Sequence, residues 1–595
     1  MSDKRFGFAA FGPAVVVLLC LTAGLSLENY PQYVLAITMI SMVIGVALVV
    51  LVGLGRCITL AAGSVMAIGA YTSTLAVIHL SVPYELSLLL AIAAGGVAGW
   101  VIALPGRRFR GHNLAMVTLV FQGVCIILLR EAKWLTGGAE GIHVPRPSIF
   151  GWRITTDADF LIVIGVLSAV TVLVLTILVR GSFGKNLQAA AGNEVAAEAF
   201  GVSVPGYLTA AFVVSSAAIA CAGALAAPRI RILDPDSFGV LPSIFMLAYP
   251  IVGGMTSVWG GLLGGGGLRI LPELLRPIAD YQELFFAILV ILVVMFFPGG
   301  LVELLRRASA LVIGRGAKPG AAPIAPAPQA ASIAVPDSSQ VLLRVEGVDK
   351  HFDALHAVNS ANLVVPVAGI HGLIGPNGAG KTSLFNIMSG FLEADSGKVE
   401  FAGTSLLKLQ ARDRIRLGIT RTFQHVAVFG QLSCLDNVII GRGRNSVIHA
   451  MLQSFDGVVG GSGVRTARRQ AFAALQAVGL VDQAESPAAA LSLGDQRRLE
   501  IARAIVSEPK LILLDEPVSG LSEVEVEELR QLLLRINSEK QIAMLVVEHN
   551  IPFVAKLCRT MSVMGAGRIV AEGRPDDVIS LPAVRQLYFG EEAAP

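Results

Sequence analysis

Gly375, Pro376, Asn377, Gly378, Ala379, Gly380, Lys381 and Thr382 spell G-x-x-x-x-G-K-[ST]. A loop of this form folds backbone N–H groups around phosphate oxygens. It needs glycines because Cβ atoms would hold the backbone away, and the helix that follows adds the positive end of its dipole. Lys381 supplies charge for the β- and γ-phosphates and Thr382 a hydroxyl for Mg²⁺, and Ser383 is counted with the phosphate-binding residues. The apolar run Ile370 to Ile374 before the loop and the helical pattern after it give the strand-loop-helix context this chemistry requires. Further on, Leu511 to Leu514 reads as a buried parallel strand ending in Asp515 and Glu516. Two acids at a strand end can act as mere caps. Downstream of a phosphate loop, Asp515 suits a Mg²⁺ partner and Glu516 suits polarisation of the water that attacks a phosphoryl group.

The segment Leu491-Ser492-Leu493-Gly494-Asp495-Gln496, continued by Arg497 to Ala504, resembles the signature of ABC-transporter ATPases. That resemblance implies further roles. Gln424, in Arg421-Thr422-Phe423-Gln424, becomes the glutamine-loop residue at the metal and the attacking water. His549 after Glu548 becomes the switch histidine, and Phe352 the aromatic that stacks on adenine. In that family two ATPase domains sandwich two ATP molecules. Ser492, Gly494 and Gln496 would then contact the nucleotide held by a second ATPase subunit. One position departs from the pattern: Ser519-Gly520-Leu521-Ser522 ends in serine where many relatives have Asp or Asn.

A motor of this kind needs something to drive, and the rest of the chain is built for lipid. The sequence is 54% apolar and only 15% charged, against about 25% charged in ordinary soluble proteins. The apolar excess sits in the first half. Ten stretches qualify as spans at about 20 apolar residues each: approximately 8–26, 33–54, 57–78, 85–104, 113–130, 160–180, 207–227, 240–255, 258–275 and 281–298. The basic ends at Lys4/Arg5, Arg56, Arg107/Arg108/Arg110, Arg180/Lys185 and Arg306/Arg307 all fall on one side, the cytoplasmic one by the positive-inside rule, together with both termini. Arg130, Lys133, Arg229 and Arg231 fall on the other. The glycines at 253–254, 260–261 and 264–267 read as close helix packing, with a broken helix lining a substrate pathway as the alternative. No Asp, Glu or His lies near the middle of an expected span, which argues against a proton relay. A net charge of +3 with no basic tract excludes nucleic acid as a partner, and six scattered cysteines imply neither disulfides nor a metal site. Cys20 follows Leu19, too large for a lipoprotein cleavage site.

The expected fold is therefore multi-domain: an all-α polytopic membrane domain over 1–307, a Pro/Ala-rich linker over 308–340 and an α/β ABC nucleotide-binding domain over 341–595. Both halves are similar to the branched-chain amino-acid uptake family of ABC importers. The ATPase likeness lies in 371–392, 417–424 and 491–504, and the permease likeness in 67–72, 114–121, 135–138, 189–202 and 252–261. The resemblance implies ATP-driven uptake of leucine, isoleucine and valine across a bacterial inner membrane, with ATP and Mg²⁺ as cofactors. It also implies a second permease subunit, a second ATPase subunit and a periplasmic substrate-binding protein. Urea, short amides and aromatic acids are alternative substrates within it. A homodimeric exporter is disfavoured by ten short spans with brief loops. Residues 184–205 carry Glu194 and Glu198 one turn apart and are read as the cytoplasmic loop that docks on the ATPase.

Overall fold

The computed structural model describes residues 3–106, 109, 111–297, 299–305, 340–353, 355–443, 446–459 and 461–589. The chain forms two compact units. The first comprises Met1–Ala191, Val204–Gly320 and Val447–Gly461, and the second Gly192–Ser203, Ala321–Ser446 and Ser462–Pro595. The linker expected at 308–340 lies outside the described residues, Gln340 excepted.

In lipid a backbone must satisfy its own hydrogen bonds, so long apolar runs become helices. They are α1 (Asp3–Gly24), α2 (Asn29–Leu48, prolonged by a π-helical turn), α3 (Ala62–Leu80), α4 (Tyr84–Gly106), α5 (Gly111–Glu131) and α6 (Asp157–Arg180). After α7 (Ser182–Gly192) and α8 (Glu194–Ala199) come α9 (Val204–Ile230), α10 (Val240–Gly253), α11 (Val258–Leu274) and α12 (Gln282–Phe296). Seven stretches are long and apolar enough to cross a bilayer: Asn29–Leu54, Ala62–Leu80, Tyr84–Gly106, Gly111–Glu131, Asp157–Arg180, Val204–Ile230 and Pro235–Gly253. The other three expected spans coincide with α1, whose described apolar stretch is Phe11–Gly24, with the 17-residue α11, and with α12, whose described apolar stretch is Leu284–Phe296. Ten expected spans thus become seven of full length among the described residues. The physical reason is clearest in α11, whose 17 residues reach about 26 Å at 1.5 Å per residue, with Arg269, Pro272 and Glu273 in its second half.

The glycine cluster packs helices backbone to backbone. A Cβ on Gly45 of α2 would lie 2.2 Å from the Gly261 carbonyl oxygen of α11, and one on Gly264 would lie 1.8 Å from that of Tyr249 in α10. Gly267 meets nothing within 4 Å. Polar groups in this core find partners on other elements: Gln122 accepts from the Ser64 N–H at 2.6 Å and donates to the Phe238 carbonyl at 2.6 Å.

The second unit holds two sheets. One joins β1 (Val341–Phe352), β2 (Leu355–Pro366), β4 (Ser396–Phe401) and β5 (Thr404–Ser405), in the order β2-β1-β4-β5 and antiparallel throughout. The other has the order β6-β7-β8-β3-β9-β10, from β3 (Ile370–Ile374), β6 (Ile419–Arg421), β7 (Leu511–Asp515), β8 (Ala543–Val547), β9 (Thr560–Gly565) and β10 (Arg568–Gly573). All its pairings are parallel except β9 with β10. Every residue of β3, β7 and β8 is buried, as expected of parallel strands covered on both faces. Four further helices matter below: α13 (Lys381–Ser389), α14 (Val447–Val459), α15 (Leu493–Ile505) and α16 (Glu523–Lys540). Of these, α14 belongs to the first unit, where Ser454 Oγ accepts from the Phe183 N–H at 3.1 Å.

Gly264→Leu forces side-chain atoms into the α10 backbone. Overpacking of this kind costs about 1–3 kcal/mol or more, and detergent-extracted protein should aggregate in fluorescence-detected size-exclusion chromatography. Gly267→Ala should elute as the parent does.

Candidate nucleotide site

In a parallel sheet the loops leaving the carboxyl ends of neighbouring strands converge, and here they bring the sequence-predicted residues together. The phosphate loop leaves β3, Asp515 ends β7 with Glu516 after it, and Glu548 and His549 follow β8. Gly380 caps α13 with φ +98°, and a Cβ there would sit 2.2 Å from the Ala357 carbonyl oxygen. Only glycine meets both conditions. Lys381 is buried and donates to the carbonyls of Gly375 at 2.7 Å and Pro376 at 2.9 Å. Burial holds its ammonium below the usual range while the charges of Glu516 and Asp515 act the other way. Thr382 is exposed at the start of α13.

Glu516 is at the centre of the constellation. Gln424 donates from Nε2 to Glu516 Oε2 at 3.0 Å, and His549 Nδ1 lies 3.8 Å from the same oxygen. Glu516 takes φ +43°, a left-handed conformation uncommon for a non-glycine residue and concentrated at functional sites. Asp515 is buried, and burial raises its pKa against the opposing charge of Arg421, whose Nη2 is 3.3 Å from Asp515 Oδ2.

The oxygen donors Thr382, Gln424 and Asp515 suit Mg²⁺, which takes one or two carboxylate or hydroxyl ligands and leaves the rest to phosphates and water. No cluster of three or more His, Cys, Asp or Glu occurs among the described residues, so a cage made of protein alone is absent there. The expected adenine platform, Phe352, ends β1 with its ring 46% exposed.

The signature residues form a separate group. Ser492 is the N-cap of α15 and accepts from the Asp495 N–H, and Gln496 donates to the Leu491 carbonyl at 3.1 Å. A cleft of about 190 Å³ is lined by Ser492, Gly494, Arg498 and, from α16, Glu525 and Glu528. A Cβ on Gly494 would approach Glu525 Oε1 to 2.6 Å.

Four residues that the motifs did not single out hold this machinery in place. The Arg421 guanidinium lies over the rings of Phe385, Phe391 and Phe423 at 4.6, 5.1 and 5.1 Å and bonds Asn386 and Ser389 at 2.7 Å each. Arg497 donates to the carbonyls of Phe423 and Gln424, fixing the glutamine segment to α15. Glu500 accepts from the Ala427 N–H at 2.9 Å. Glu548, fully buried, accepts from the N–H groups of Val518, His549 and Asn550. The only sequence signal for the pair on α15 was the spacing of charges at 497, 500 and 503, which puts them on one helix face.

Residues 30–296 match the family of branched-chain amino acid transport system permease components, and residues 358–519 match the ABC transporter family. Over 259 residues, 42% of this chain, it is 36% identical to the high-affinity branched-chain amino acid transport ATP-binding protein LivG of Escherichia coli K12 and covers 99% of that protein. It is 33% identical to the counterpart BraF of Pseudomonas aeruginosa, again over 99% of that protein. A nucleotide-free ATP-binding cassette of an ABC transporter aligns with 42% of this chain and 100% of its own at 28% identity, with a TM-score of 0.37. The chain belongs to the ABC transporters of the branched-chain amino acid transport type, with a permease component and an ATP-hydrolysing cassette carried in one polypeptide.

Proposed function

We propose that this chain imports branched-chain amino acids across a bacterial inner membrane as the permease and motor of one half of an importer. The observation that carries the reading is the group Lys381, Asp515, Glu516, Gln424 and His549 at one edge of a parallel sheet, in a chain that also holds a branched-chain permease component. Relatives named for branched-chain amino acid transport support the substrate. Urea, short amides and aromatic acids are the alternatives. The basic helix ends support a topology with the cassette and both termini in the cytoplasm. The single phosphate loop and single signature call for a second cassette, and with it a second permease and a periplasmic binding protein, while a tether over 308–340 joins this chain's own permease to its cassette.

In this mechanism the ATP phosphates lie in the loop 375–382, and Lys381 turns from the carbonyls of Gly375 and Pro376 to the β/γ oxygens. The adenine stacks on Phe352. Thr382, Gln424 and Asp515 would hold Mg²⁺, which would neutralise charge at the phosphates. Glu516 orients a water whose oxygen forms the new bond to the γ-phosphorus as the bond to ADP breaks, and the carboxylate takes the water proton. Gln424 and His549 position Glu516. Ser492, Gly494 and Gln496 meet the nucleotide of the partner cassette.

Force passes through residues 192–203. This segment is part of the second unit, where the Phe200 ring is fully buried 4.5 Å from the Arg503 guanidinium and Arg412 Nη1 lies 3.4 Å from Ser203 Oγ.

Labelled leucine uptake in cells lacking other leucine systems should require the intact gene and be abolished by Lys381→Ala and by Glu516→Gln. Purified Glu516→Gln should hydrolyse ATP about 10²-fold or more slowly while still binding it. If the intact protein with its partners carries urea and not leucine, the substrate assignment falls and the ATP-driven reading stands. Phe200→Ala should lower leucine uptake about tenfold, equivalent to about 1.4 kcal/mol, with the ATPase rate of the purified chain unchanged. Equal losses of both would show the ring to be a folding element only.

A further inference from the structure

Helix α14 lies within the cassette sequence yet packs in the first unit. At about 100° per residue its side chains divide into three sectors. The sector with Ala450 and Ser454 is buried, at 1% exposure each, and faces the bundle. His449, Gln453 and Asp456 make a polar sector, in which Gln453 Nε2 and His449 Nε2 are 2.8 Å apart. Between the two lies an exposed apolar sector: Ile448 at 71% exposure, Leu452 at 64% and Phe455 at 40%.

The place of α14 in the bundle indicates what covers that sector. Helices α1 and α6 run antiparallel, since a Cβ on Gly24 would meet Leu161 and one on Gly165 would meet Leu21. The start of α1 and the end of α6 therefore share one end of the bundle. At that end Gly181 touches Ser454, where a Cβ would come within 2.3 Å of it, and Ser454 accepts from the Phe183 N–H. The outward faces of α1 (Val15, Leu19) and α6 (Val166, Val170) are exposed and apolar, as lipid-facing surfaces must be. Arg180 ends α6 and Lys185 follows in α7, the basic residues that mark a membrane boundary. A helix at this depth with one packed, one apolar and one polar sector has the anatomy of an interfacial helix lying in the membrane plane. It carries no Lys or Arg, so apolar burial and not charge provides its affinity.

We propose that α14 is a membrane-surface anchor, with Ile448, Leu452 and Phe455 in the boundary between headgroups and acyl chains of the leaflet beside the end of α6. The anchor holds one segment of the cassette sequence at the bilayer, whatever the transported substrate.

The test places p-benzoylphenylalanine at position 452, 455 or 453 of the full chain in native membranes, followed by irradiation, purification and mass spectrometry. Phospholipid adducts at 452 and 455 but not at 453 are expected. Adducts to a polypeptide at 452 and 455 would make the sector a subunit interface and overturn the proposal, as would the absence of lipid adducts at all three. An independent readout uses Leu452→Cys carrying an environment-sensitive fluorophore, in phosphatidylethanolamine/phosphatidylglycerol proteoliposomes with lipid brominated near the carbonyl. A roughly twofold fall in emission is expected for a label in the boundary region; emission unchanged by bromination overturns the proposal.

Discussion

Arg497, Glu500 and Arg503 stand one turn apart on α15, at 4%, 1% and 1% exposure. Charges so far from water are costly unless paired and hydrogen-bonded, and burial is felt at Glu500 and Arg503. It raises the Glu500 carboxyl against the pull of two arginines and brings Arg503 down to about 10. The compensation comes from the glutamine segment: carbonyls of Phe423, Gln424 and Ala427 accept from the two arginines, and the Ala427 N–H donates to Glu500. The rings of Phe200 and Phe429 lie over the Arg503 guanidinium at 4.5 and 4.9 Å, which gives its faces a partner where its edge is incompletely bonded. Removing any of the three charges would leave its neighbours buried and unpaired, so signature helix and glutamine segment hold position together, and residue 200 docks on the surface they form.

The proposed hydrolytic group depends on a second set of restraints reached by the same logic. Parallel β3, β7 and β8 fix the spacing of their C-terminal loops, while side chains from elsewhere fix the loops themselves. Arg421, in its cage of three phenylalanines, touches Asp515 from β6, and burial takes its pKa to about 10. Glu548 ties the backbone after β7 to that after β8 through Val518 and His549. With Asp515 held by Arg421 on one side and the Val518 turn by Glu548 on the other, the intervening Glu516 stays in a left-handed conformation it would otherwise leave.

What the sequence made legible and what it hid follow from how far each feature reaches along the chain. The phosphate loop, the acids after Leu514 and the signature are local: a few consecutive residues dictate backbone geometry, and their identities state it. Arg421, Glu548 and Phe200 act through partners such as Phe385, Val518 and Arg503, each far off in sequence, and no local pattern announces such meetings. Hydropathy located every apolar helix, and the ten expected spans stand as seven of full length among the described residues because a span needs length as well as apolarity, which the 17 residues of α11 do not supply. The pattern of α14 was equally beyond reach, since a short amphipathic stretch inside a soluble cassette reads as an ordinary surface helix until its neighbours are known.

The serine at 522 shows how a departure from a family pattern can keep its physical role. Ser522 is the N-cap of α16 in a reciprocal capping box, its side chain accepting from the Glu525 N–H while Glu525 returns to the Ser522 N–H. Serine, aspartate and asparagine cap helices about equally well, so the local geometry that Asp or Asn would impose is preserved. The bond also draws Glu525 below its usual carboxylate range, chiefly through the Ser522 N–H. The carboxylate so fixed lines the signature cleft beside Gly494. A serine that holds Glu525 therefore helps shape the surface that faces the partner's nucleotide in the proposed dimer, and it does so through its cap, with no need of a charge of its own.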